Sequence, residues 1–298
     1  MRIPGDVLAR WSNDGATVTA KHTHHEIRRV LEAHSWPPGM YPHLFLQGSY
    51  ANHTTIRSDS DVDLVVEMNS GFYCNDEVLT GRQLIYSGLK YPANLPSWVA
   101  FHDEVLRVLK REYGRSADPR TNAIKVTLGP GRLAADVVVC TSYRLYIPSP
   151  GMTTLPPYHQ GIMFLADGVR EVVNFPEQHL KNGEKKNHPT VTRERFKPMV
   201  RVFKNARRYM VERGRLADDI APSYFIQCLL YNVPNHLFLG THEQAFVGIL
   251  NWLPKADLST FWCQNGITRL FGDKPNEWTV SRATTYLHAL VDLWNGWR

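Results

Sequence analysis

The chain has 298 residues, of which 43% are hydrophobic and 21% charged, with a formal net charge of +6. That balance excludes a disordered chain and a fibre, and no apolar run approaches the roughly 18 residues that span a bilayer. The start, Met1 to Asp6, lacks the apolar stretch of a signal peptide, and four scattered cysteines with no CxxC pair fit free thiols in a cytoplasmic protein.

Thr17 to His34 reads as a polar helix carrying Val18, Ile27, Val30 and Leu31. His43 to Gln47 is a short strand, followed by Gly48-Ser49 and a short helix near Tyr50 to Ile56. Asp61 to Glu67 is a second strand, rich in β-branched residues. Helices are expected near Asp76 to Lys90 and Ser97 to Tyr113. Strands follow over Ala123 to Leu128, Leu133 to Cys140 and Tyr143 to Ile147, with a turn at Gly129-Pro130-Gly131. Gly161 to Ala166 and Arg170 to Phe175 form a hairpin around Asp167-Gly168. From Pro176 onward the pattern is helical.

The charge is local. Lys181 to Arg215 holds twelve Lys and Arg against three Glu, a net of +9, and the rest of the chain sums to −3. Within it, Phe196, Met199, Val200, Phe203, Ala206 and Met210 mark the apolar stripe of an amphipathic helix. Lys197, Arg201, Lys204 and Arg208 run beside it. A solvated face is the usual fate of such a row; with no acidic partner four residues away on the stripe, however, its cations repel one another unless a polyanion sits nearby. Lys181 to Lys186 is expected to be an exposed basic loop.

The sharpest signal is Gly48-Ser49 with Asp61-Val62-Asp63 beginning twelve positions after Ser49. Residues two apart on a strand share a face, so Asp61 and Asp63 present two carboxylates together. Their repulsion calls for a divalent cation. Asp136, set in the apolar run Ala134 to Val139, becomes a third ligand if its strand lies alongside. Three such carboxylates suit two Mg²⁺ ions. A glycine lets backbone approach a phosphate closely, and Ser49 adds a donor. Asp59 shares the parity of Asp61 and Asp63, but Arg57 to Ser60 reads as a turn, and Asp59 is assigned to it.

Gly48-Ser49-Tyr50-Ala51 through Ser60-Asp61-Val62-Asp63-Leu64 resembles the signature of polymerase-β-type nucleotidyltransferases. With Val173-Asn174-Phe175-Pro176, Phe196-Lys197, Arg201 to Asn205 and Pro222-Ser223-Tyr224, the chain from about 45 to 235 resembles the bacterial cGAS/DncV-like nucleotidyltransferases. These are relatives of cyclic GMP-AMP synthase and oligoadenylate synthetase. The resemblance implies joining of nucleoside triphosphates into cyclic di- or trinucleotides in antiphage signalling. It assigns Lys204 to the donor triphosphate and Ser223 to the same phosphates. Pro222 is expected at the first helical position, where the amides face a phosphate. Tyr224 would stack on the donor base; packing in the core is its competing use. The resemblance also brings Asn174 to the acceptor base, where its amide offers the donor and acceptor that uracil requires. A local turn bond is the alternative use of Asn174.

The expected fold is α+β and two-lobed: a mixed-sheet catalytic lobe over 1–174, with the N-terminal helix, and a helical lobe over 175–298. The site would lie in the cleft between them. The expected catalytic and metal residues are Asp61, Asp63 and Asp136 with two Mg²⁺; Gly48, Ser49, Asn174, Lys204, Ser223 and Tyr224 bind nucleotide. The expected partners are nucleoside triphosphates, an RNA or other nucleic-acid activator, and a separate effector that senses the product of a monomeric enzyme. The competing functions are template-free transfer to RNA ends or a small molecule, and non-catalytic nucleic-acid binding through the +9 segment.

Overall fold

In the computed structural model the described residues are 2–15, 17–56, 61–80, 83, 96–129, 133–149, 151–152, 154–274 and 277–297. The chain divides into two units. A sheet unit comprises 17–48 and 60–177, and a helical unit comprises 1–16, 49–59 and 178–298. The last boundary in chain order falls after Glu177. The two early stretches that join the helical unit depart from a single cut, because long-range packing rather than chain order decides them.

Among the described residues of the sheet unit, β-branched and apolar runs build seven strands: β1 (Pro42–Leu46), β2 (Asp61–Cys74), β3 (Ala117–Pro119), β4 (Ile124–Val126), β5 (Ala134–Tyr146), β6 (Tyr158–Ala166) and β7 (Arg170–Asn174). The order is β1-β2-β5-β4-β3, with β6 on β5 and β7 on β6. Only β2 and β5 pair in parallel, and every other pair is antiparallel. The sheet is therefore mixed, as expected. Two strands expected over Leu133–Cys140 and Tyr143–Ile147 are one, because Thr141 and Ser142 continue the pairing with β6. β2 runs on past Glu67 to Cys74 through a register shift between Met68 and Phe72. Asp167 (φ 52°) and Gly168 (φ 71°) make the tight turn of the β6–β7 hairpin. Of the helix expected over Asp76 to Lys90, a single 3₁₀ turn covers Asp76–Val78, and residues 84–90 lie outside the described ones.

A 16-residue helix, Trp98–Tyr113, covers the sheet, opened by the Ser97 hydroxyl accepting from the Ala100 amide. Its apolar face, Trp98, Phe101, Val105, Val108 and Leu109, is buried, and the Trp98 indole donates to the Val139 carbonyl at 2.9 Å. Thr17–Glu32 forms the second helix of this unit.

In the helical unit we label α1 (Gly5–Trp11), α2 (Pro176–Asn187, whose last ten residues belong here), α3 (Phe196–Glu212), α4 (Ser223–Tyr231), α5 (His242–Trp252) and α6 (Val280–Asn295). The stripe expected on α3 is the core: Phe196, Met199, Val200, Phe203, Ala206 and Met210 are at most 1% exposed. Lys181 to Lys186 is helix rather than loop. Gly183 in this helix sits where an added Cβ would meet the Gln264 amide at 2.4 Å, so close packing selects the glycine. Lys186 donates to the Val233 carbonyl at 2.8 Å and lies over the rings of Phe196, Tyr231 and Phe238. Among the described residues no helix is long and apolar enough to cross a membrane, and the four cysteines are free thiols.

Candidate active site

In the sheet unit the parallel register sets Asp63 directly beside Asp136, and Asp61 beside Ala134. Neighbours in register point to the same face, so the carboxylates of Asp63 and Asp136 share a side of the sheet. Each is half-buried between buried neighbours, Val62 and Leu64 on one strand and Ala135 and Val137 on the other. The Asp61 backbone opens β2; its side chain and all of Asp59 lie outside the described residues. On the other flank Lys125 of β4 pairs in register with Asp136, a cation that the sequence did not bring to notice.

Gly48 follows β1, and the Gln47 amide donates to the Asp63 carbonyl at 3.1 Å. Gly48 has φ +70°, and a Cβ on it would stand 1.7 Å from Asp63 Oδ2. The Asp63 carboxylate thus rests against the bare Cα of Gly48. Both the left-handed backbone and the missing side chain are required. Among the described residues no three His, Cys, Asp or Glu form a metal-ligating cluster; the Asp61 carboxylate is not among them.

Asn174 ends β7, opposite Ile162 and exposed. A Cβ on Gly161 would meet the Asn174 carbonyl oxygen at 2.7 Å, so that glycine lets the strand end pack closely. The Asn174 side chain makes no hydrogen bond among the described residues, so the local turn bond is not formed.

The helical unit treats its cations differently from a solvated face. Lys197, Arg201 and Lys204 are 8%, 9% and 2% exposed. Lys204 Nζ donates to the Thr54 carbonyl at 2.8 Å, and Arg201 donates to the carbonyls of Ser12 and His53. Asn205 donates to the Trp11 carbonyl at 2.9 Å. Burial lowers the pKa values of Lys197 and Arg201. Arg208 is the exception, and it corrects the reading of an unpaired row, since Glu212 one turn on lies 3.4 Å away. α3 thereby pins the segment that follows Gly48-Ser49. The Thr54 amide also donates to the Ser49 carbonyl at 2.9 Å, and Thr54 Oγ1 to Gln227 Oε1 at 3.3 Å. Thr54 and Gln227 gave no sequence signal, because a carbonyl acceptor is independent of side-chain type.

Ser223 opens α4 and is exposed. Pro222, at ψ 163°, is the extended residue before the helix rather than its first, so it leaves the amides of the first turn to Ser223 and its successors. Tyr224 is 42% exposed, so it is not a plain core residue. Its ring stacks on His179 (centroids 5.0 Å, 21°) and on Trp278 (5.8 Å, 26°). Its hydroxyl turns inward to the Cys228 and Cys263 thiols, and burial pushes its pKa far up.

Residues 181–295 match the model of the cGAS/DncV-like nucleotidyltransferase C-terminal helical domain. A cyclic UMP-AMP synthase from Rhodothermus marinus is 44% identical over 100% of this chain and 99% of its own length. The chain belongs to the cGAS/DncV-like nucleotidyltransferases. It is therefore a nucleotidyltransferase of the α+β, two-unit kind. A cyclic nucleotide synthase from Staphylococcus haemolyticus, CdnE01, is 32% identical over the full length of both chains. The solved structure of the Rhodothermus marinus synthase with Apcpp and Upnpp superposes with a TM-score of 0.89, at 44% identity, covering 99% of this chain and 97% of that one. An Elizabethkingia meningoseptica CdnE cyclic dinucleotide synthase solved with GTP and Apcpp gives 0.76 at 26% identity, covering 98% of each.

Proposed function

We propose that this nucleotidyltransferase is a cyclic oligonucleotide synthase that condenses UTP and ATP into a cyclic dinucleotide, releasing pyrophosphate. The observation that carries the chemistry is the register of Asp63 beside Asp136, with one carboxylate against Gly48. Two carboxylates in register repel each other, and their hard oxygens are the donors that Mg²⁺ takes. Asp63 and Asp136, with Asp61 on the same strand, would hold two Mg²⁺, which when bound lower the pKa of an attacking ribose hydroxyl and offset the charge of a departing pyrophosphate. Gly48 keeps the Asp63 carboxylate in place by leaving it room. Gly48 and Ser49 offer backbone and hydroxyl to phosphate oxygens.

Lys204, Ser223 and Tyr224 hold the donor. The lysine supplies a charge-assisted contact to the triphosphate, the serine a hydroxyl at a helix start, and the tyrosine a stacking face. Asn174, exposed and with no side-chain hydrogen bond among the described residues, takes the O4 and N3–H edge of uracil on the acceptor. The likeness to a cyclic UMP-AMP synthase supports the same pair. The reading extends to a cytoplasmic, monomeric enzyme of antiphage signalling whose product is sensed by a separate effector. It includes a nucleic-acid activator, for which exposed Lys181, Lys185, Arg193, Arg213 and Arg215 supply the charge.

The test is to incubate the protein with labelled nucleoside triphosphates and Mg²⁺, with and without RNA, and identify the products. A phosphatase-resistant product labelled from both UTP and ATP is expected, with more of it when RNA is present. Purine-only dinucleotides would refute the uracil assignment. Extended RNA or a modified small molecule would refute cyclisation.

A further inference from the structure

His179 of α2 is 7% exposed. Burial drives its pKa down to about 4, against a weaker upward pull from the Gln227 side chain, so the ring is neutral at physiological pH. Its carbonyl accepts from Gln264 Nε2 at 2.7 Å. Among the described residues its Nδ1, like Nε2 of Gln227, has no hydrogen-bond partner. The geometry shows what the imidazole touches instead. It stacks on Tyr224, and Gln227, on the same helix as Tyr224, accepts from the hydroxyl of Thr54, whose carbonyl holds Lys204.

We propose that His179 is a positioning residue of the donor site, backing the Tyr224 ring from inside the helical unit and fixing the plane on which the donor base stacks. The inference rests on Tyr224 being the base platform. Offset stacking leaves ring surface open, as the 42% exposure of Tyr224 shows. Trp278, stacked on the same ring at 5.8 Å, limits its tilt from the other neighbour. Gln227 and Thr54 tie the platform to the lysine that meets the triphosphate, so base and phosphates are held in one frame.

The experiment measures equilibrium binding of α,β-methylene ATP and of inorganic tripolyphosphate to the full chain by calorimetry. His179→Ala should weaken the nucleotide roughly fivefold to tenfold, a loss in the range of one stacked base. Tripolyphosphate, which has no base, should change by less than about twofold. His179→Phe, which restores a ring, should recover most of the nucleotide affinity. In a Tyr224→Ala background, His179→Ala should cost nothing further, because its partner is gone. If His179→Ala does not fold, His179→Leu replaces it in every arm. An equal loss with and without Tyr224, an equal loss for both probes, or no recovery in His179→Phe would overturn the proposal. Unchanged nucleotide binding in Tyr224→Ala would overturn the donor-site reading itself, a result that is distinct from the other three.

Discussion

The two units place their polar groups by different means. In the sheet unit, register alone sets Asp63 beside Asp136, and one glycine with φ +70° admits a carboxylate against its Cα. Each feature comes from a short stretch of chain with a fixed period. In the helical unit, the groups around Thr54, His179, Lys204 and Gln227 come from four separate stretches and meet only through packing. A site on paired strands tolerates little positional change, whereas a cluster drawn from four stretches depends on the hydrogen bonds and ring contacts that link its members. The sheet unit should therefore lose activity through displacement, and the helical unit through weakened binding.

Gly48→Ala tests the first half most severely. The new Cβ, 1.7 Å from Asp63 Oδ2, must displace the carboxylate. Turnover should fall on the order of a hundredfold or more, as ångström-scale misplacement of a reacting group does, with nucleotide binding largely kept. Wild-type turnover would break the comparison.

Lys204→Met addresses the second half. Loss of one charge-assisted contact should weaken donor binding roughly tenfold to a hundredfold, while kcat at saturating nucleotide changes far less. Thermal melting must accompany it, since Lys204 also holds the Thr54 carbonyl. A fall in kcat with unchanged affinity would move the lysine to the chemistry.

These contrasts explain what was legible in the sequence. Asp61-Val62-Asp63 and Asp136 lie on β-branched runs whose period of two fixes a face, so the pair was foreseeable once the strands were adjacent. The α3 core was equally plain. Its cations were not: a basic row beside an apolar stripe looks solvated, yet Arg201 and Lys204 are buried because carbonyls of Ser12, His53 and Thr54 accept from them. Helix α1, seven residues long, carried too few apolar positions to show a period. Likewise, nothing local announces that residues 49–59 belong with the helical unit.

Asn174→Ser gives a smaller, qualitative effect. The shorter hydroxyl cannot span both uracil groups, so acceptor preference should shift toward purines by roughly tenfold, read as the ratio of incorporated labels. An unchanged ratio would remove Asn174 from acceptor recognition.

The smallest effect concerns stability. Burial lowers the Lys186 pKa from 10.5 to about 8, so the unfolded chain holds that proton more tightly. Stability from this group should rise as pH increases from 8 toward 10.5, and its full cost applies below 8. Denaturant midpoints at both ends should show this rise in the wild type and a flatter profile in Lys186→Met. Parallel profiles would mean that the ammonium is not desolvated.

The central claim is that the carboxylates of the sheet unit perform the transfer while the helical unit binds the donor. Pyrophosphate release and α,β-methylene ATP binding, measured side by side in Asp63→Asn and Asp136→Asn, test it most directly. The account predicts release below detection in both variants with metal-independent nucleotide binding retained. Pyrophosphate release at the wild-type rate in either variant would contradict it.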